Sequence, residues 1–157
     1  MDLFAILLFL HVLGAIVAFG PGFASMIVGP MVAREPQYAN FYARTQAATG
    51  RKLVTPLSIS LAITGIGLIV VRGWSTLVAG KHWLEAAILL YVVAIVLAMA
   101  VMAPAGRRLV ELTATPPAPG AGPSEELRKV AGRVRVGGMA LSALVVVITL
   151  LMVLKPF

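Results

Sequence analysis

The chain contains no cysteine and little charge. None of its 157 residues is Cys, and only 12% are Asp, Glu, Lys or Arg. The absence of cysteine excludes disulfides, thiolate metal sites and covalent attachment of a c-type haem. The scarcity of charge accompanies 60% hydrophobic residues and a mean hydropathy of +0.98, values outside the usual mix of a soluble domain. The sequence therefore predicts an integral membrane protein.

Four apolar stretches reach the roughly 20 residues that a helix needs to cross a bilayer. They cover residues 3–32, 53–71, 83–103 and 136–154. The first has no basic segment before it and is too long for a secretory signal, so we interpret it as a retained span. We expect an all-α fold: an integral membrane four-helix bundle that forms one transmembrane domain over residues 1–157.

The basic residues indicate the orientation of this bundle. Three of them (Arg72, Lys81 and Lys155) lie on the side of the termini, and ten lie after spans one and three: Arg34, Arg44, Arg51, Lys52, Arg107, Arg108, Arg128, Lys129, Arg133 and Arg135. The positive-inside rule then predicts long cytoplasmic loops after spans one and three and both termini outside. We expect a multi-pass protein of a bacterial inner membrane.

Local signals refine this topology. The stretch 114–123 is rich in Pro, Ala and Gly and is predicted to be a cytoplasmic linker. Ser124 is expected to cap the helix that follows. Trp74 and Trp83 bracket the short outer loop, where an aromatic belt is expected.

Catalytic motifs are missing from the spans. Glu85, at the membrane edge, is the only acidic residue within the four predicted spans, so a proton relay or cation pathway lacks its usual carboxylates. No nucleophile with a base, glycine-rich phosphate loop or pair of carboxylates is present. The basic residues lie between apolar runs instead of along one amphipathic face, which argues against nucleic-acid binding. The pattern favours a protein that is not an enzyme.

A row of mostly small residues follows one face of span one. Its members alternate steps of four and three: His11, Ala15, Ala18, Gly22, Ser25 and Gly29. Small residues let helices approach closely inside a bilayer. Span two offers a comparable face with Ser58, Ala62 and Gly65. We therefore expect these two helices to pack together, with His11 pointing into the bundle.

Each span also places one polar side chain in the outer half of the bilayer. At about 1.5 Å of rise per residue, His11 lies about 12 Å below the outer end of span one, and Tyr91, Thr64 and Thr149 lie at similar depths in the others. This layer predicts an outward-opening polar pocket, in which Tyr91 is the first expected partner of His11 and Thr64 or Thr149 the next. The alternative is that Ser and Thr bond their own helix carbonyls and Tyr91 only packs.

His82 and Glu85 lie one turn apart at the outer start of span three, so both can face one side. A histidine and a carboxylate at this spacing can share a divalent metal, although two ligands are fewer than known metal sites use. A bis-histidine haem would need His11 and His82 at one height, and their heights differ by about 12 Å. Haem held by His11 alone avoids that objection.

The stretch 9–22 (FLHVLGAIVAFGPG), together with Trp83, Leu84 and Tyr91, resembles a bacterial family of four-span integral membrane proteins whose function is unknown. That family is distantly similar to copper-resistance-D-type proteins and to protoporphyrinogen-oxidase-type membrane proteins, which share an early histidine followed by small residues and glycine. The resemblance implies a four-span bundle and makes His11 a candidate haem ligand. The chain departs from the haem-associated pattern because it has no other histidine at comparable depth.

Two functions are compatible with this sequence. The first is a binding or accessory membrane protein, with a ligand pocket formed by His11, Thr64, Tyr91, Thr149, His82 and Glu85. The second is a haem- or quinone-dependent redox protein that uses His11 as axial ligand or proton donor, with haem b as the cofactor. The expected partners are the lipid bilayer and either a second copy or a larger membrane complex.

Overall fold

The computed structural model describes residues 2–73, 82–115 and 122–156. Six α-helices occur in these ranges: α1 (Leu3–Arg34), α2 (Ala39–Thr49), α3 (Thr55–Arg72), α4 (His82–Leu97), α5 (Ala103–Thr113) and α6 (Glu125–Leu154). A 3-10 turn (Pro36–Tyr38) precedes α2, and π-helical turns (Gly50–Val54 and Ala98–Met102) join α2 to α3 and α4 to α5. No strand is found in the described ranges. Trp74 and the linker residues 116–121 lie outside them.

Four helical segments are long and apolar enough to cross a membrane: Leu3–Arg34, Pro36–Arg72, His82–Thr113 and Glu125–Leu154. The predicted all-helical fold with four spans is therefore confirmed. Asp2 caps α1 by accepting from the Phe4 N–H. Ser124 caps α6 by accepting from the Leu127 N–H, and this second cap was predicted. Which end of the bundle faces the cytoplasm stays a prediction.

The segments expected as long loops after spans one and three are mostly helical. Glu35 is the one non-helical residue between α1 and the helical segment Pro36–Arg72, and the third segment continues through α5 to Thr113. Hydropathy alone marked only the apolar part of each helix, because the added turns carry polar and basic residues. The bundle therefore extends beyond the predicted spans at the end that carries the ten basic residues, which we call the basic end.

Proline explains where the two π-helical turns occur. Pro56 and Pro104 lie at the first turns of α3 and α5, directly after the wider turns. Proline has no N–H and its ring collides with the carbonyl four residues earlier, so the regular hydrogen bond there is lost. At the first turn, the Thr55 hydroxyl donates to the Gly50 carbonyl at 2.9 Å and satisfies one acceptor. The helices thus continue through both prolines instead of ending.

Small residues form the core. α1 packs most closely on α3, α4 packs on α6, and α1 also contacts α6, while α2 packs on α5 at the basic end. The buried positions are mainly Ala, Gly, Ser and Thr, including Ala18, Ala87 and Ser58. Large apolar side chains such as Ile16 and Ile63 are exposed, as lipid-facing residues are. Packing in this bundle therefore depends on close backbone approach.

The predicted row of mostly small residues on α1 does not face α3 along its whole length. Ala18 is buried, and four further members are half-buried: His11, Ala15, Ser25 and Gly29. Gly22 is exposed, and a Cβ there would face Ser142 of α6 at 3.8 Å. The expected contact of Gly22 with span two is therefore wrong.

Gly14, which was expected on the face toward span two together with Ala18 and Gly22, does lie on that face. Gly14 is buried, and a Cβ added to it would lie 3.6 Å from Leu61. On α3, Ser58 is buried, and Ala62 and Gly65 are half-buried. Since α1 contacts two helices, its small residues divide between them.

Gly137 and Gly138 of α6 provide a matched test of this close packing. A Cβ added at Gly137 would lie 2.5 Å from the sulfur of Met102, whereas nothing lies within 4 Å of one at Gly138. We expect Gly137→Leu to lower the free energy of unfolding in detergent by about 1–3 kcal/mol through overpacking. Gly138→Leu gives the same gain in helix propensity without the collision and should not destabilise the bundle. Equal stability of the two variants would show that α6 does not pack on the Met102 turn.

Candidate functional site

His11 lies on the face of α1 that packs against α3. Its Nδ1 atom lies 3.0 Å from Oγ1 of Thr64, whose side chain is buried. The ring also approaches the backbone carbonyl of Leu61, a second acceptor on α3. Thr64, the second partner expected from the sequence, is therefore the residue that holds the ring.

The numbers of hydrogen-bond donors and acceptors indicate where the protons of His11 and Thr64 lie. The Thr64 hydroxyl has one proton and already lies 2.8 Å from the Ser60 carbonyl and 3.3 Å from that of Leu61. If that proton goes to a carbonyl, Oγ1 is free to accept from Nδ1–H, and both protons have partners. The reverse arrangement would leave an N–H at Nε2 without an acceptor, and unpaired donors are rare in apolar surroundings. We take the ring as neutral, because a charge is costly inside a bilayer, and on this count of partners we assign its proton to Nδ1.

The other ring nitrogen is available. In the described part of the chain no hydrogen bond reaches His11 Nε2, and no fully buried side-chain nitrogen or oxygen there is without a partner. Nε2 therefore reaches the surface of the bundle with an unshared electron pair. Such a nitrogen can accept a hydrogen bond or bind a Lewis acid.

Gly65 provides the space for the ring. A Cβ added to Gly65 would lie 3.3 Å from Cε1 and 3.8 Å from Nδ1 of His11. At 3.3 Å, the imidazole would have to move by a few tenths of an ångström to make room for an alanine, and a larger side chain would need more space. The lack of a side chain at Gly65 thus allows the imidazole to reach its hydrogen-bonding position beside Thr64.

Tyr91, the first expected partner, does not contact His11. Its hydroxyl donates to the backbone carbonyl of Ser58, six residues from Thr64 and about 9 Å further along α3. The depth count failed because it measured every residue from the outer end of its own span, and those ends do not share one height. Tyr91 therefore joins α4 to α3 at a different level.

Thr149 and the His82–Glu85 pair form no hydrogen bond to His11 in the described chain. Thr149 is exposed, and its hydroxyl donates to the Val145 carbonyl of its own helix at 2.8 Å. His82 and Glu85 do approach each other, at 3.2 Å, but both are exposed. No group of three or more His, Asp or Glu side chains able to hold a metal occurs in the described ranges. Of the four residues of the predicted layer, His11 and Thr64 are hydrogen-bonded to each other, whereas Tyr91 and Thr149 bond backbone carbonyls elsewhere.

A double-mutant cycle tests the His11–Thr64 bond. Thr64→Val keeps the shape of the side chain and removes the acceptor, so it should lower the free energy of unfolding in detergent. In the His11→Leu background, Thr64→Val should lower the free energy of unfolding less than it does in the wild type. The difference between the two effects, which is the coupling energy, should be about 0.5–1.5 kcal/mol.

Thr149→Val is the matched control, since this hydroxyl bonds only its own helix. We expect its effect to be small and independent of His11. Additive effects of His11→Leu and Thr64→Val would mean that the two side chains do not interact.

Comparison with known proteins yields one match. A family described as "predicted integral membrane protein (DUF2269)" matches residues 5–156, which is nearly the whole chain. No curated protein and no solved structure matches. The match agrees with the four apolar helices of the structure. The chain belongs to this family of predicted integral membrane proteins.

Proposed function

We propose that this protein is a membrane binding or accessory protein whose ligand contact is Nε2 of His11. The observation that supports the proposal is the 3.0 Å contact between His11 Nδ1 and Thr64, which orients the ring and leaves Nε2 without a partner in the described chain. A histidine used only for packing would be expected to have both nitrogens satisfied. The proposed site is narrower than the predicted pocket and contains His11, Thr64 and Gly65.

The proton assignment restricts the ligand. Nε2 offers an electron pair and no proton, so the ligand must present a hydrogen-bond donor or a Lewis acid. A hydroxyl or N–H of a small molecule, or of a partner's helix, satisfies this requirement. Entry from the outer side of the membrane follows from the depth of His11, about 12 Å from the start of α1.

The alternative is a haem-binding redox protein in which His11 is the axial ligand. The hydrogen bond from Nδ1–H to Thr64 favours it, because histidines that bind metals almost always donate their other N–H to a second group. His11 would be the single protein ligand, since His82 is exposed and paired with Glu85. Haem, when bound, would supply one-electron chemistry, and Thr64 would fix the ring that holds it.

A quinone-dependent role is compatible with Nε2 as a hydrogen-bond acceptor but not as a donor. Nε2 can accept a hydrogen bond from a quinol hydroxyl, but the neutral ring has no proton there to give to a quinone. The predicted role of His11 as proton donor is therefore less well supported than a role as acceptor.

Chemical modification tests the main proposal. Diethyl pyrocarbonate attacks an unprotonated imidazole nitrogen, and the chain has two histidines, so peptide mapping can follow each one. In lipid nanodiscs we expect His11 to be modified, with the exposed His82 as internal reference. Modification of His82 alone would mean that Nε2 is inaccessible, and the site proposal would be wrong.

Absorption spectra then separate the two functions. If haem is the ligand, protein titrated with haemin should show a Soret band that is lost in His11→Ala and kept in the control His82→Ala. A Soret band that is absent from the wild type and both variants, or equal in all three, would exclude axial ligation by His11. The proposal of a binding or accessory protein would then remain.

A further inference from the structure

Lys52 and Arg135 lie at matching distances from the opposite end of the bundle. Lys52 is 20 residues from Arg72 along the segment Pro36–Arg72, and Arg135 is 20 residues from Lys155, the C-cap of α6. At about 1.5 Å of rise per residue, each separation is about 30 Å, which is the thickness of the hydrocarbon core. No charged residue lies within either interval. Two helices thus mark the same slab of uncharged sequence.

Contacts with aromatic rings fix the level of Arg72 and Lys155. The Arg72 guanidinium lies 4.4 Å from the centre of the Phe4 ring, at the start of α1. Nζ of Lys155 lies 5.9 Å from the centre of the Trp83 ring, at the start of α4. Tryptophan and long cationic side chains prefer the surface of a bilayer. A membrane with one surface at this level has its other surface at Lys52 and Arg135.

Two pairs of cations lie at that second surface. Arg51 and Lys52 belong to the π-helical turn before α3, and Arg133 and Arg135 lie on α6. We call these four residues the surface cations. All four side chains are exposed, and none forms an ion pair with another described residue.

The carboxylates of the basic end do not neutralise the surface cations. Three of the four carboxylates pair with other basic residues at 2.6–2.8 Å: Glu111 and Glu126 with Arg108, and Glu125 with Lys129. The fourth, Glu35, forms no ion pair within the described ranges, and the segment Pro36–Arg72 contains no acidic residue. Any counter-charge for the surface cations must therefore come from outside the described chain.

The neighbouring apolar residues indicate what supplies this counter-charge. Leu53 follows Lys52 and Val136 follows Arg135, and the exposed fractions of these two apolar residues are 37% and 64%. Each pair of cations therefore adjoins an exposed apolar side chain on its membrane side. A phospholipid can cover both, with its acyl chain on the apolar side chain and its phosphate on the cations, whereas a soluble anion would leave the apolar side chain uncovered.

We propose that the surface cations bind the phosphate groups of acidic phospholipids in the leaflet at the basic end. A zwitterionic phospholipid also carries a phosphate, but its ammonium group offsets that charge. A lipid with a net negative charge is therefore favoured, by about 5-fold in affinity for each Lys or Arg near the surface.

Fluorescence quenching by brominated lipids tests this proposal with the full chain in vesicles. A fluorophore on Met139→Cys is a unique label, because the chain has no cysteine, and it lies one turn from Arg135 at a position that is 50% exposed. The vesicles contain equal amounts of phosphatidylglycerol and phosphatidylcholine, with bromine on the acyl chains of one or the other. We expect stronger quenching by brominated phosphatidylglycerol, corresponding to at least about a 5-fold preference. The double variant Arg133→Gln/Arg135→Gln should reduce the preference to near one.

The matched control is the double variant Arg44→Gln/Arg128→Gln. It removes the same charge from the basic end, but Arg44 lies eight residues before Lys52 and Arg128 seven before Arg135, about 12 and 10 Å further from the membrane. We expect this variant to keep the preference for phosphatidylglycerol.

The first pair of cations is tested in the same way. The label is placed on Ile59→Cys, a position that is 58% exposed and seven residues from Lys52 on the membrane side. Arg51→Gln/Lys52→Gln should remove the preference measured there.

Three results would overturn the proposal. Equal quenching by the two brominated lipids would mean that the surface cations do not select an acidic lipid. An equal loss of preference in the control variant would assign it to the net charge of the basic end instead of the surface cations. Loss of the preference on adding millimolar glycerol phosphate at constant ionic strength would mean that a free phosphate is the ligand.

Discussion

The hydrogen bond between His11 and Thr64 is the constraint on which the rest of the site depends. An N–H of an imidazole inside a bilayer needs an acceptor, and α3 supplies both the Thr64 oxygen and the space beside Gly65. That bond joins the first two spans and fixes which nitrogen of the ring carries the proton. The ligand contact proposed at Nε2 of His11 therefore depends on these two features of α3.

α3 is central to the polar contacts of the bundle because α1 and α4 each direct a polar side chain toward it. His11 reaches it from α1 at Thr64, and Tyr91 reaches it from α4 at the Ser58 carbonyl. Within a bilayer such bonds, together with close contacts of small residues, replace the hydrophobic effect as the source of helix association. Lys52, in the turn before α3, and Arg72, at its end, lie about 30 Å apart along the helical segment, so we expect them at the two surfaces of the hydrocarbon core.

Hydropathy was enough to predict the four spans, since each apolar run is at least about as long as the hydrocarbon core is thick. The extension before span four could be predicted from the cap at Ser124, whereas the helices Ala39–Thr49 and Ala103–Thr113 fell within the predicted loops because their residues are polar enough to resemble loops. Thr64 could be found from depth alone, but depth could not reject Tyr91, because the height of each helix relative to its neighbours depends on packing. For the same reason, Gly22 was placed against span two although it faces Ser142.

The protonation of His11 tests the account most directly. Solid-state nitrogen NMR of the protein in bilayers, labelled with ¹⁵N-histidine, contains signals from two residues, and His11→Leu identifies which belong to His11. The account predicts a neutral His11 ring with its proton on Nδ1 and an unprotonated Nε2. A ring protonated on Nε2, or a charged ring at neutral pH, would contradict it.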